Sequence, residues 1–167
     1  SKNPERGFLS SANQHPTDST YPFYVFNDGY ETYRNRIINN FFRSKDKFDV
    51  EDFKALQNNN SNLKAVELLP ALFKNIDRAN LNFEENEMLS ILEKWNLDNS
   101  IEQVAPSIFR AWNANLYRLI WDEFDTEEES LKWPFTYQYV YMVNNHPEDD
   151  FMDILETPEK ETAKDLV

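Results

Sequence analysis

The chain of 167 residues contains no cysteine and only 2 glycines. The absence of cysteine excludes disulfides, thiolate nucleophiles and cysteine metal sites, but it does not fix the cellular compartment. Sandwiches and barrels need many tight turns, usually built with glycine, so scarce glycine favours helices. No apolar run approaches the roughly 20 residues that a membrane span needs. The first residues do not form a signal peptide, so we expect either a cytoplasmic protein or one whose true N-terminus lies upstream.

Positive charge is also scarce, because 17 Lys and Arg stand against 30 Asp and Glu, for a net charge of −13. Such a chain repels polyanions, so nucleic acid and anionic membrane surfaces are poor partners. The hydrophobic fraction is 40% and the aromatic fraction 15%, which is enough to fill a core. The composition therefore predicts an ordered domain with an acidic surface.

Apolar residues recur at helical spacing in five segments, which predicts a mainly α structure. The five faces are Tyr30 to Phe42, Val50 to Leu56, Leu63 to Ile76, Met88 to Trp95 and Ile108 to Ile120. We expect Asp49 to cap the second helix, Pro70 to kink or break the third, and Pro106 to lie near the start of the fifth.

The two ends of the chain are less regular. Residues 1–28 predict an extended or looped segment, with a short strand or irregular structure before Pro16, and residues 29–167 predict a helical domain. Residues 135–143 suit a strand or a helix equally. Thr157 and Pro158 predict a helix that runs to Val167. No stop signal closes that helix, so we expect the chain to be truncated inside it.

Few residues suggest chemistry on their own. His15 and His146 lie far apart in the sequence and do not make a metal site. The acidic residues between 149 and 153 lack the spacing and glycine of a calcium loop, so we interpret them as helix-start acids. An N-terminal serine can act as a nucleophile with its own α-amine as base. Ser1 is followed by Lys2-Asn3-Pro4 instead of a strand that would seat a nucleophile, so we do not assign it that role.

Several short motifs follow one another along nearly the whole chain. They are Asn3-Pro4, Ala12-Asn13-Gln14, Tyr21-Pro22, Tyr33-Arg34-Asn35-Arg36-Ile37-Ile38, Leu68-Leu69-Pro70, Leu92-Glu93-Lys94-Trp95-Asn96, Ala105-Pro106 with Trp112, and Thr157-Pro158 with Glu161-Thr162. Their order and spacing resemble an internal part of the larger chain in the penicillin acylase (penicillin amidase) family. Asn96 departs from the family pattern, which usually has Asp there.

The resemblance implies an αββα N-terminal-nucleophile hydrolase fold, whose nucleophilic serine would lie upstream of these residues. Asn13 matches the oxyanion-hole asparagine of the family. Arg34 matches its active-site arginine, and Arg36 is the alternative if the helix is displaced by two residues. Family members often hold a structural calcium ion through a carboxylate just after the Tyr-Pro. Val25 occupies that position and Asp28 is not matched, so we expect no metal or other cofactor in this chain, and any structural calcium elsewhere in the whole enzyme.

The resemblance implies a periplasmic or secreted amidase that cleaves an acyl-amide bond through a serine acyl-enzyme. Its partners would be the small chain, the remainder of the large chain, and a small-molecule acyl amide such as a β-lactam side-chain amide or an acyl-homoserine lactone. We expect this chain alone to be inactive, because the nucleophile is not in it. The rival hypothesis from the residues alone is a stand-alone acidic helical interaction domain without catalysis.

Overall fold

A computed structural model describes residues 3–17, 20–24, 32–124 and 132–167, which form α-helices and no named strand. The helices are α1 (Tyr33–Arg43), α2 (Val50–Gln57), α3 (Leu63–Asn75), α4 (Phe83–Glu93), α5 (Ala105–Ile120), α6 (Thr136–Asn145) and α7 (Ala163–Leu166), with 3₁₀ turns at Asp122–Phe124 and Asp150–Met152. The predicted mainly α class is confirmed. None of the described helices is both long and apolar enough to cross a bilayer.

The chain divides into two compact units, Ser1–Asn59 and Asn60–Val167. The predicted boundary between residues 28 and 29 lies outside the described residues. In the first unit, residues 3–17 are irregular and contain no strand. Of the two alternatives for this segment, the irregular one is therefore correct.

A cluster of five phenylalanines forms the apolar centre of the first unit. Its rings belong to Phe8, Phe41, Phe42, Phe48 and Phe53. The rings of Phe8 and Phe42 stack with centroids 5.1 Å apart, and those of Phe41 and Phe48 lie 4.8 Å apart. Aromatic pairs at such separations add stability beyond their buried area. The cluster joins the N-terminal loop, α1 and α2 into one body, which fixes the loop against α1.

Helix α2 begins where the sequence predicts. The Asp49 side chain accepts a hydrogen bond from the Asp52 backbone N–H at 3.0 Å, and the Asp52 side chain accepts one from the Asp49 backbone N–H at 2.9 Å. This reciprocal capping satisfies two backbone donors that would otherwise be orphaned at a helix start. The hydrogen bond from the Lys45 ammonium and that from the Asp49 backbone N–H lower the pKa of the Asp52 carboxyl below its ordinary value.

The second unit has a larger core. Its most completely buried side chains are Leu68, Leu72, Leu116, Ile120, Tyr139 and Met152. The buried Tyr139 hydroxyl donates to Asn113 Oδ1 at 2.9 Å, which satisfies its polar tip. Residues 136–145 form α6 and deliver Tyr139 to this core. The helical alternative for this segment is therefore correct.

Asn96 departs from the family motif without losing a polar function. Its side-chain oxygen accepts hydrogen bonds from the Asp98 backbone N–H at 3.1 Å and from Gln103 Nε2 at 2.9 Å. An aspartate oxygen would accept both bonds equally well. The change from the usual Asp to Asn therefore keeps the acceptor that closes the turn after α4.

Pro70 does not break α3, which continues from Leu63 to Asn75. A proline inside a helix leaves the carbonyl four residues earlier without its donor. Here that carbonyl belongs to Val66, and both Val66 and Pro70 are exposed. At an exposed face of the helix, water can hydrogen-bond to a carbonyl that has lost its backbone donor, so the proline costs less than it would in a buried position. Of the two predicted outcomes at Pro70, the break is therefore wrong, and the kink stays a prediction.

The predicted helix from Pro158 to Val167 is also wrong, because only Ala163–Leu166 is helical. Thr157 does not cap a helix. Its hydroxyl instead lies 3.0 Å from the Ile154 carbonyl and 2.7 Å from Glu161 Oε1. Glu161 in turn accepts from the Ile154 backbone N–H at 3.0 Å. These local side-chain bonds fold residues 154–161 into a turn and outcompete the helix.

Candidate active site

Asn13 lies in the irregular loop that precedes Pro16, and its side chain is exposed. Its φ of 61° is in the left-handed region, which few residues other than glycine adopt. Asparagine is among the residues that tolerate this region best, because its short polar side chain can bond locally. The backbone therefore presents the Asn13 amide at the surface of the first unit.

Arg34 lies in the first turn of α1 and is also exposed. One guanidinium nitrogen, Nη2, donates a hydrogen bond to Asn13 Oδ1. The structure thus brings together two residues that are 21 positions apart and that were predicted separately. Arg36 lies elsewhere, with its guanidinium carbon 4.9 Å from the centre of the Tyr33 ring.

The contact with Arg34 decides which way the Asn13 amide points. A guanidinium has only donors, so the atom that faces it must be the amide oxygen. The Asn13 amide nitrogen is then directed away from Arg34, and among the described residues it has no hydrogen-bond partner. A cation on the oxygen also polarises the amide and makes its N–H groups better donors. The pair therefore presents an oriented amide donor.

Four further polar residues support this pair, and none of them was among the predicted site residues. They are Ser10, Gln14, Asn35 and Asn39. Asn35 is 7% exposed and is the buried polar residue of the described chain. A buried amide needs partners. Asn35 and Asn39 are also four residues apart on one helix, a spacing that places two side chains side by side. That spacing was the available signal.

The remaining candidate residues lie in the second unit or outside the described residues. His146 belongs to the second unit, where its ring nitrogen Nε2 lies 3.4 Å from the Tyr141 hydroxyl. Ser1, Val25 and Asp28 lie outside the described residues. Within the described ranges, no group of three or more His, Cys, Asp or Glu side chains is arranged to hold a metal ion.

Each unit has a cavity that opens on its surface. One, of 530 Å³, lies in the first unit and is lined by Gln14 and Asn35 together with Arg6, His15 and neighbouring residues. The other, of 650 Å³, is a mainly apolar groove in the second unit beside Met88, Ile108 and Trp112. Both volumes are within the range of small-molecule pockets. The cavity of the first unit adjoins the loop that carries Asn13.

The second unit contains a carboxyl group with a perturbed pKa. Burial raises the pKa of Glu123, and the charges of Asp122 and Asp153 raise it further. Its Oε2 atom is buried and has no hydrogen-bond partner in the described part of the chain. Perturbed carboxyls often mark functional sites, but no described nucleophile or oxyanion donor accompanies this one. We therefore interpret it as a local destabilising feature.

The raised pKa of Glu123 predicts a pH dependence of stability. Because the folded carboxyl holds its proton to higher pH than the unfolded one, its contribution to the free energy of unfolding falls as pH rises from the ordinary carboxyl pKa through the raised value. Glu123→Gln removes this titration. In urea unfolding of the 167-residue chain, the variant should be more stable than the parent at pH 7, with the gain shrinking towards about pH 4. Glu156→Gln, at an exposed position, is the matched control. A gain that does not depend on pH would contradict this account of Glu123.

The penicillin amidase family model matches residues 1–167, the whole chain. The chain belongs to the penicillin amidase family. Neither the curated proteins nor the solved structures include a significant match. At the level of the family, the function is acylase-like amide hydrolysis. Membership also confirms the resemblance drawn from the ordered motifs.

Proposed function

We propose that this chain is an internal part of the larger chain of an N-terminal-nucleophile amidase, and that Asn13 and Arg34 belong to its active site. The enzyme would hydrolyse an acyl amide through a serine acyl-enzyme, with the serine contributed from outside these residues. Family membership supports the reaction class. The contact between Arg34 and the Asn13 amide oxygen supports the assignment of the site, since it leaves the amide N–H free to bind an oxyanion.

The chemistry assigns one role to each residue. The serine oxygen attacks the amide carbonyl carbon, and the carbonyl oxygen acquires negative charge as the tetrahedral intermediate forms. Asn13 Nδ2 donates a hydrogen bond to that oxygen. The α-amine of the serine takes up the proton of the serine hydroxyl and passes it to the nitrogen of the departing amine. Water then attacks the acyl-enzyme through a second intermediate of the same kind, which releases the carboxylic acid and restores the serine hydroxyl. Arg34 touches Asn13 throughout and holds the amide in the orientation that both steps need.

We expect the Asn13 amide to contribute strongly to transition-state stabilisation, because its N–H donates to an oxygen on which negative charge develops. Removal of one side-chain oxyanion donor costs about 2.7–4 kcal/mol of transition-state stabilisation in a well-studied hydrolase. The donor must be oriented before the reaction, because reorientation during the reaction would consume the benefit. An asparagine whose oxygen is occupied by a guanidinium meets that requirement.

The remaining assignments follow from the family. The acyl amide is a small molecule, with β-lactam side-chain amides and acyl-homoserine lactones as the two substrate classes to test. The partners are the small chain and the rest of the large chain, and the compartment is the periplasm or the exterior. We propose that any structural calcium of the enzyme is held outside this chain.

The test is expression of the complete reading frame, followed by assay with chromogenic phenylacetyl and fatty-acyl amides. We expect hydrolysis of at least one of them, and amino-terminal sequencing of the larger chain should identify the processed serine. The rival hypothesis of an acidic helical interaction domain expects no turnover of any amide and no upstream serine at a processing site. That combination of results would overturn the proposed function.

A further inference from the structure

The side chain of Gln14 braces the left-handed backbone at Asn13. Gln14 Oε1 accepts a hydrogen bond from the Ala12 backbone N–H at 2.7 Å, and its Nε2 donates to the Ser10 carbonyl at 3.3 Å. Both peptide groups lie just before Asn13. The Gln14 side chain therefore folds back over residues 10–12 and closes the loop around Asn13. This local bonding compensates for a backbone conformation that is otherwise sparsely populated.

Asn35 anchors this brace to α1. Its Nδ2 donates to Gln14 Oε1 at 3.1 Å, so that one oxygen receives hydrogen bonds from both the loop and the helix. Asn35 is 7% exposed. An amide buried to that extent loses its hydration, and it remains favourable only while its bonds are made. The loop and the helix are thus tied together by a contact that water does not readily replace.

Asn39 and Ser10 complete a closed circuit. Asn39 Nδ2 donates to Asn35 Oδ1 at 2.7 Å, and the Ser10 hydroxyl donates to Asn39 Oδ1 at 2.7 Å. Each of the three amide oxygens in the circuit accepts a bond, and the two asparagines lie side by side on α1 at positions four apart. Connected polar networks of this kind rigidify the structure that holds them.

We propose that Asn35 and Gln14 are positioning residues, which hold the Asn13 amide at the geometry needed for oxyanion binding. This inference rests on the proposed function of Asn13. Asn35 follows Arg34 directly on α1, with Arg34 exposed and Asn35 buried. The same helix turn therefore supplies the guanidinium that orients the amide and the buried anchor that places its backbone. A displacement of about 1 Å at a reacting group lowers the rate by about 10²-fold.

The substitution Asn35→Asp tests the proposal with almost no change in shape. It keeps the oxygen that accepts from Asn39 and replaces the donor to Gln14 with a second oxygen. Gln14 cannot adapt by turning its amide over, because its oxygen also serves Ala12 and its nitrogen serves Ser10. In the enzyme from the complete reading frame, we expect kcat to fall about 10- to 100-fold with KM nearly unchanged. Asn40→Asp makes the same change at an exposed position of α1 and should leave kcat as it is.

A double-mutant cycle separates positioning from a general effect on the fold. If Asn35 acts through Asn13, then Asn35→Asp should lower kcat much less in an Asn13→Gly background than in the parent. Equal losses in the two backgrounds would overturn the positioning role, as would unchanged kcat in Asn35→Asp. If Asn35→Asp fails to fold, Gln14→Glu, which removes the donor to Ser10, replaces it in the same cycle.

The same cycle tests the positioning role of Asn35 separately from the oxyanion role of Asn13. Normal kcat in Asn13→Gly alone would overturn the proposed function and the inference with it. Reduced kcat in Asn13→Gly, combined with independent effects of Asn35→Asp, would leave the proposed function in place and overturn only the positioning role.

Discussion

Replacement of Asn13 with alanine in the whole enzyme should lower kcat by about 10²–10³, because it removes the donor that stabilises the developing oxyanion. KM should change little, since the hydrogen bond strengthens only as charge develops in the transition state. The side chain is exposed, so its loss removes no core packing. Steady-state kinetics beside thermal unfolding is the measurement.

Because Asn13 has a positive φ, alanine at this position also strains the backbone, so the test needs a second variant. Alanine in the left-handed region carries a strain of about 1–2 kcal/mol that asparagine largely avoids, and this strain lowers the melting temperature by a few degrees. Asn13→Gly removes the amide without the strain, so it should lose kcat as Asn13→Ala does and keep the parent melting temperature. Near-normal turnover of Asn13→Gly would show that Asn13 is only a turn residue. Loss of the fold in Asn13→Gly would instead indicate a structural role.

The chain of residues 1–167 alone should show no amidase turnover. We propose that the nucleophilic serine and its α-amine base lie outside this chain, and an oxyanion donor without a bound, positioned substrate accelerates the reaction little. The measurement is hydrolysis of a chromogenic phenylacetyl or fatty-acyl amide by the purified chain, with Ser1→Ala as the matched control. Turnover that disappears in Ser1→Ala would contradict the account and would make Ser1 a processed nucleophile.

The helices could be predicted from the sequence wherever an apolar face repeats over two or more turns. This holds for α3 and α5, whose faces supply Leu72, Leu116 and Ile120 to the core of the second unit. The predicted break at Pro70 and the predicted helix cap at Thr157 were wrong because each rested on the residue type alone. The helix tolerates Pro70 because the Val66 carbonyl, which loses its donor, is on an exposed residue. The Thr157 hydroxyl bonds to Glu161 and not to a helix start. Both outcomes depend on neighbours that a local pattern does not reveal.

Part of the candidate site could also be predicted from the sequence, and part could not. Asn13 and Arg34 were predicted from the resemblance, and their side chains meet in the structure. The circuit of Asn35, Gln14 and their partners was not predicted, since three amides and a hydroxyl on a charged chain are typical of a solvated face. The helical spacing places Asn35 beside Asn39, but only the packing of the loop against α1 brings Ser10 and Gln14 to them. The choice of Arg34 over Arg36 remains a prediction about function, and the contact with Asn13 supports it.

The oxyanion role of Asn13 is tested most directly by a crystal structure of the whole enzyme with a bound analogue of the tetrahedral intermediate. We expect Asn13 Nδ2 to lie about 2.7–3.1 Å from the oxygen that mimics the oxyanion, while Arg34 still donates to Asn13 Oδ1. An analogue oxygen that is bound by other donors, with Asn13 Nδ2 beyond hydrogen-bond distance, would contradict it.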